Sequence, residues 1–208
     1  TQYRARIVEL FEQATAEGTQ IVAVDSLKDA PFEPLAISAH EGHTRAVMKI
    51  QEGCDNRCTY CIIPSMRGAI RSRPVQAVRG EARALAEAGF RERVLTGVHL
   101  TSYGRNLEGR PTLADAIRAA AAAPGIVRVR LGSLEPAVVT DAFLSAAREI
   151  PKLCPQFHLA LQSGSDTVLA RMRRRYNTAQ YRAAAERLRE AFSDAALTTD
   201  LIVGFPGE

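Results

Sequence analysis

The sequence predicts an α/β fold, an open, partial (β/α) barrel of about five βα units. From residue 45 onwards, short apolar runs alternate with stretches of helical period, and this alternation is typical of a parallel sheet with right-handed crossovers. Polar residues and glycines collect directly after the apolar runs, where such barrels place their chemistry. Because only five strand segments can be counted, these 208 residues alone do not close an eight-stranded barrel.

The segment before residue 45 does not show this alternation of strands and helices. Residues 4–18 have apolar positions at helical spacing and end on Gly18, which predicts a helix with a glycine C-cap. The run QIVAV at 20–24 predicts a short strand. Prolines and missing periodicity follow, as is typical of a linker. We therefore interpret residues 1–25 as the C-terminal end of a preceding domain, 26–44 as a linker and 45–208 as the main domain, incomplete at its C-terminus.

Strands and helices then alternate along the main domain. The predicted strands are RAVMKI (45–50), RVLTGV (93–98), VRVRLGS (127–133), FHLALQ (157–162) and LTTDLIVGF (197–205). The predicted helices are VQAVRGEARALAEAG (75–89), TLADAIRAAAAAPG (112–125), VVTDAFLSAARE (138–149), DTVLARM (166–172) and TAQYRAAAERLREAF (178–192). Glycine or proline ends two of these helices, at Gly89 and Pro124.

Composition narrows the class of protein. The chain is 46% hydrophobic and 24% charged, as in ordinary soluble globular proteins. No apolar run could span a membrane, and the N-terminus lacks the apolar core of a signal peptide. We therefore expect a cytoplasmic protein without membrane contact. Thiols are reduced there, so its cysteines are expected to be ligands or reactive groups rather than disulfides.

Three of the four cysteines lie in one polar loop after the first strand, as CDNRCTYC at Cys54, Cys58 and Cys61. Three thiolates on a short loop can each bind one iron of a four-iron cluster and leave the fourth iron open to chemistry. The alternative is a zinc-stabilised nucleic-acid-binding module whose fourth ligand is Cys154, His40 or His43. Structural zinc sites, however, favour two separated ligand pairs.

The loop resembles the Cys-x3-Cys-x-aromatic-Cys signature of radical S-adenosylmethionine (SAM) enzymes. The resemblance implies a partial barrel of the radical SAM type, with a [4Fe–4S] cluster bound by the three cysteines. SAM would chelate the open iron, and an electron from the cluster would cleave SAM to a 5′-deoxyadenosyl radical. The residues that the resemblance places at the cofactor are Tyr60, near the adenine, Gly97, near the methionine amino group, and Ser133, Gln162 and Asp200, at strand ends beside the ribose and carboxylate.

Longer segments resemble the methylthiotransferase branch: IQEGCDNRCTYCIIP (50–64), LQSGSD (161–166) and DLIVGFPGE (200–208). TGVHLTSYG (96–104) and LGSLEP (131–136) resemble its subgroup that acts on N6-threonylcarbamoyladenosine. The resemblance implies methylthiolation of carbon 2 of that nucleoside at position 37 of tRNA, with a reducing electron donor as a further partner. The alternative substrate within the branch is an aspartate of a ribosomal protein.

One feature of the branch is missing from these residues. The resemblance implies a second iron–sulfur cluster bound by three cysteines of an N-terminal domain, but no cysteine precedes Cys54. That cluster is therefore expected only in the full-length protein. The net charge of +4 comes with local arginine clusters, and arginine suits phosphate recognition. The arginines expected to hold RNA phosphates, unless they are ordinary solvated surface, are Arg67, Arg71, Arg73, Arg173, Arg174 and Arg175.

Overall fold

The computed structural model describes residues 3–27, 30–33 and 44–208. Its strands are β1 (Arg45–Glu52), β2 (Arg71–Ser72), β3 (Glu92–Gly97), β4 (Arg128–Leu131), β5 (Gln156–His158) and β6 (Ala196–Thr198). Its helices are α1 (Ile7–Glu17), α2 (Ile63–Arg67), α3 (Val75–Glu87), α4 (Leu113–Ala121), α5 (Asp141–Arg148), α6 (Asp166–Arg171) and α7 (Thr178–Ala191).

Five of the strands run parallel in chain order, which confirms the predicted open barrel. β1, β3 and β4 pair in one sheet, with Val47 opposite Val94 and Val94 opposite Arg130. β5 and β6 form a parallel pair. Parallel bridges from Val129 to Leu153 and from Leu134 to Leu159 continue the sheet from β4 to β5. The short elements that were not predicted include helix α2 and strand β2, which pairs antiparallel with the end of β1.

The periodicity that predicted the elements also builds the core. Along β1, Ala46, Met48 and Ile50 are fully buried, and the residues between them are at least partly exposed. Helices α3 and α4 pack over this side of the sheet with Leu85 and Ile117, both fully buried. Such apolar burial is the main stabilising contribution to the fold. It fixes the strands so that their carboxyl ends, and the loops after them, meet at one rim.

The N-terminal segment confirms one prediction and corrects another. A 3₁₀ turn at Arg4–Arg6 leads into α1, and Gly18 ends the helix in the left-handed conformation with φ 63°. The strand predicted for residues 20–24 is wrong: no regular structure forms there, and Val22 is 76% exposed. No described strand lies beside this run to pair with it. Most of the predicted linker, including Pro34 and Gly42, lies outside the described residues.

No helix among the described residues is long and apolar enough to cross a membrane.

Candidate active site

The cysteine loop leaves the carboxyl end of β1 through Gly53. This residue has a φ of 72°, and a Cβ built on it would lie 1.8 Å from the carbonyl oxygen of Ala69. The backbone N–H of Cys54 then donates to the carbonyl of Gly68 at 3.1 Å. A glycine is therefore required at residue 53 both by the positive φ and by the close approach of the chain after α2.

Gly53→Ala is expected to disrupt the cysteine loop while the rest of the barrel stays folded. The left-handed conformation costs a non-glycine residue about 1 kcal/mol, and the clash with Ala69 adds to this. We expect the iron and sulfide bound after anaerobic reconstitution to fall by more than about half. Gly80→Ala in α3 is the matched control, because a Cβ there meets nothing within 4 Å. Equal cluster content in the two variants would contradict the requirement for glycine at residue 53.

Gln51 joins the cysteine loop to the loop after β3. Its side chain is fully buried. Its Nε2 donates to the carbonyls of Glu52 at 2.8 Å and Gly53 at 2.7 Å, and its Oε1 accepts from the backbone N–H of His99 at 2.6 Å. This residue was not among those predicted from the sequence. The available signal was a polar residue at the buried end of an apolar strand, where its hydrogen-bonding groups need partners.

The three thiols of the loop are free and half-buried. Burial raises the pKa of Cys54, and the charges of Glu135, Cys58 and Cys61 contribute in the same direction. Within the described residues, no three His, Cys, Asp or Glu side chains are grouped closely enough to hold a metal ion as they stand. A donor set of three neighbouring, partly accessible thiols matches the ligation of an iron–sulfur cluster.

A buried ionic network lies against this loop. Glu135, which follows β4, has its Oε1 2.5 Å from Arg174 Nη2 and its Oε2 3.0 Å from His99 Nε2. Asn56, inside the cysteine loop, donates to Glu135 at 3.2 Å. Burial works to raise the pKa of Glu135, but His99 and Arg174 outweigh it and hold the pKa below its usual range. Glu135 is therefore a carboxylate that is both ionised and sequestered beside the thiols.

Arg174 links this ionic network to the thiol of Cys58. Its Nη1 donates to Cys58 Sγ at 3.2 Å and to the hydroxyl of Tyr60 at 3.4 Å. Burial favours the neutral form of Arg174, but the charge of Glu135 outweighs it and raises the pKa. The guanidinium is therefore a permanent positive charge at the cysteine loop. Arg174 was predicted from the sequence to hold RNA, whereas the structure places it beside the predicted cluster site.

The residues predicted at the cofactor all lie on the same rim. Gly97 ends β3 against Gln51, because a Cβ on Gly97 would lie 2.8 Å from that of Gln51. Ser133 is exposed just after β4. Gln162 has a φ of 69°, and its backbone N–H donates to the carbonyl of Asp200 at 3.0 Å. Tyr60 is 40% exposed in the cysteine loop. Their contacts with SAM stay a prediction.

The other predicted RNA-binding arginines divide into two groups. Arg67 and Arg71 lie near the carboxylate of Glu52, at 3.2 and 3.9 Å, and Arg73 pairs with Glu81 of α3. Arg71 and Arg73 are buried, so neither presents a free guanidinium at the surface. The exposed members of the set are Arg173 and Arg175, next to Arg174.

Cys154 lies at the opposite end of the sheet from the cysteine loop. It precedes β5, and its N–H donates to the carbonyl of Val129 near the start of β4 at 2.8 Å. The cysteine loop, by contrast, follows the carboxyl end of β1. Cys154 therefore does not complete a zinc site with the loop. The other two candidate zinc ligands, His40 and His43, lie outside the described residues.

Comparison with known proteins defines the class to which this site belongs. The fold resembles the cobalamin-dependent SAM radical enzyme OxsB, with a TM-score of 0.61 over 75% of this chain and 23% of that chain at 16% identity. The radical SAM methyltransferase TsrM of Kitasatospora setae aligns with a TM-score of 0.55 and 18% identity, over 75% of this chain and 30% of that chain. The family model of the radical SAM superfamily matches residues 48–208. The chain belongs to the radical SAM superfamily, whose members use a [4Fe–4S] cluster and SAM.

Within the superfamily, the chain is similar to the radical SAM part of methylthiotransferases. It is 42% identical to the ribosomal protein uS12 methylthiotransferase RimO of Geobacter sulfurreducens, over 98% of this chain and 45% of the relative. It is 40% identical to the tRNA-2-methylthio-N(6)-dimethylallyladenosine synthase of Symbiobacterium thermophilum, over 98% of this chain and 44% of the relative. It is 37% identical to the threonylcarbamoyladenosine tRNA methylthiotransferase MtaB of Bacillus subtilis, over 100% of this chain and 46% of the relative. The chain thus spans less than half the length of these curated relatives.

Proposed function

We propose that the full-length protein is a methylthiotransferase that modifies carbon 2 of N6-threonylcarbamoyladenosine at position 37 of tRNA. The observation that carries this is the three-cysteine loop on a radical SAM barrel that is 37–42% identical to three methylthiotransferases. The segments TGVHLTSYG and LGSLEP favour the threonylcarbamoyl substrate, because they resemble the subgroup that acts on it. We also propose a cytoplasmic location.

The residues of the chain would bind and orient the reactants. Cys54, Cys58 and Cys61 would hold the [4Fe–4S] cluster, and Tyr60 would pack on the adenine of SAM. Gly97, which packs so closely on Gln51 that a Cβ there would meet it, would lie near the methionine end of SAM. Ser133, Gln162 and Asp200 would offer polar groups at the same rim. When bound, the cluster supplies the electron that breaks a carbon–sulfur bond of SAM, and a radical is needed because the C–H bond at carbon 2 is unactivated.

We propose that residues 1–25 are the end of an N-terminal methylthiotransferase domain, joined by residues 26–44 to a radical SAM domain at 45–208. Helix α1 supports this. It buries none of its residues, and Ile7, Val8 and Phe11 are 64–70% exposed. Exposed apolar side chains clustered on one helix are typical of a surface that packs against another part of a protein.

The test of the substrate is mass spectrometry of nucleosides from a strain that lacks the gene. We expect 2-methylthio-N6-threonylcarbamoyladenosine to disappear from its tRNA, with N6-threonylcarbamoyladenosine in its place, and to return when the gene is restored. The second candidate substrate is ribosomal protein uS12, favoured by the 42% identity to RimO. Intact methylthiolated nucleoside together with loss of the methylthio group from uS12 would select that candidate.

The exposed arginines after α6 are expected to contribute to tRNA binding. Arg173→Glu with Arg175→Glu in the full-length protein should weaken tRNA binding at all sequences and reduce the salt slope by about one for each phosphate that the variant no longer binds. SAM cleavage without tRNA should change little, because both side chains are exposed at the surface. The matched control is Arg79→Glu with Arg83→Glu, two exposed positions on α3. Equal affinity and slope for both pairs would assign Arg173 and Arg175 to ordinary solvated surface.

A further inference from the structure

Arg174 is held in one orientation at the cysteine loop. Its side chain is only 7% exposed. One nitrogen of its fork, Nη1, donates to Cys58 Sγ, and the other, Nη2, donates to Glu135. The third nitrogen, Nε, donates to the hydroxyl of Tyr176 at 3.1 Å, and the guanidinium carbon lies 4.8 Å from the centre of that ring. Because all three nitrogens are engaged, the guanidinium is fixed against the thiol.

Glu135 is itself braced from two other segments. Its backbone N–H donates to Thr101 Oγ1 at 3.0 Å in the loop after β3. Its carboxylate contacts His99 from that same loop and Asn56 from the cysteine loop. The carboxylate side chain is 12% exposed. The opposed charges of Glu135 and Arg174 thus lie beside Cys58 where water screens them little.

A cluster bound to Cys58 would feel both charges. When a low-potential one-electron donor reduces it, the cluster gains one electron and one unit of negative charge. A positive guanidinium and an N–H···S hydrogen bond stabilise the added charge, and a neighbouring carboxylate opposes it. Hydrogen bonds to the sulfur atoms and net local charge are among the factors that set the potentials of such clusters.

We propose that Arg174 is a positioning residue that raises the reduction potential of the cluster through its hydrogen bond to Cys58, and that Glu135 aligns Arg174 and limits this effect. The inference rests on membership of the radical SAM superfamily and is independent of the substrate. It also gives a physical role to an arginine whose sequence context, RMRRRY, suggests only a basic patch.

The test is a redox titration of the reconstituted chain, followed by the electron paramagnetic resonance signal of the reduced cluster. Arg174→Gln removes the charge and should move the midpoint potential to more negative values. Glu135→Gln keeps the shape and an acceptor for Arg174 but removes the negative charge, so the potential should become more positive. The double variant should lie between the two single variants. Arg83→Gln, exposed on α3, is the control and should match the unchanged chain.

The opposite directions of the two potential shifts distinguish an electrostatic effect on the cluster from simple structural support of the cysteine loop. A purely structural role predicts that both single variants loosen the site and shift the potential in the same direction. Shifts in the same direction, or none beyond that of Arg83→Gln, would overturn the proposal. Removing one partner of a buried ion pair is destabilising, so apo-protein unfolding temperatures are measured alongside. If Arg174→Gln retains no cluster, the midpoint potentials of Glu135→Gln and of the double variant decide. The potential of Glu135→Gln should then lie above that of the unchanged chain, and the potential of the double variant should lie below that of Glu135→Gln.

Discussion

Cys58→Ala is expected to abolish cluster binding and, with it, SAM cleavage. Cys58 is the central thiol of the three, and its sulfur is the one that Arg174 contacts. Alanine leaves two thiols, and the fourth cysteine of the chain, Cys154, lies at the other end of the sheet. Loss of residues that merely orient metal ligands typically costs 10–100-fold. Loss of a ligand should therefore reduce 5′-deoxyadenosine formation by at least about a hundredfold.

The measurement pairs iron and sulfide analysis with chromatography of 5′-deoxyadenosine after anaerobic reconstitution. Cys154→Ala is the matched control, because it removes a thiol of similar burial without touching the loop. It should keep the cluster, the change in the spectrum on adding SAM, and the cleavage rate. A Cys58→Ala variant with the iron content of the control would show that this thiol is not a ligand.

The barrel was predictable because its signal is local. Each parallel strand is a short apolar run bounded by polar or glycine residues, and each helix carries its own period and caps. Asn177 and Gln180, for example, form a capping box at the start of α7. The failed strand at 20–24 shows the limit of local signals, because an apolar run becomes a strand only where a neighbouring strand can pair with it.

The position of the three cysteines on one loop was equally predictable, since they lie within eight residues, and their role as cluster ligands stays a prediction. The roles of the arginines were not. Arg174 and Glu135 are 39 residues apart, and Asn56 and Glu135 are 79 apart. Charge in a sequence indicates exposure on average, but only the tertiary structure shows which arginine meets a carboxylate. The role of Gln51 was missed for the same reason, because its partner His99 lies 48 residues away.

The second large effect expected is the separation of two half-reactions in this chain. We expect Cys54, Cys58 and Cys61 to suffice for one cluster and for SAM at its open iron. The methylthiotransferase resemblance implies that the transferred sulfur depends on a second cluster, held by three further cysteines. The only other cysteine of these 208 residues is Cys154. We therefore expect the chain to have ligands for the radical chemistry and none for the sulfur chemistry.

Given reductant and SAM, the 208-residue chain should release methionine and 5′-deoxyadenosine in equal amounts. With tRNA added, it should form no methylthiolated nucleoside above the level of a Cys58→Ala sample, however long the incubation. Mass spectrometry of the digested tRNA measures the second product, and the full-length protein, expected to form both, is the positive control. Cleavage without transfer would locate the sulfur donor outside residues 1–208. Methylthiolated tRNA made by the chain alone would contradict this, because the sulfur would then have to come from the loop at Cys54–Cys61 itself or from its cluster.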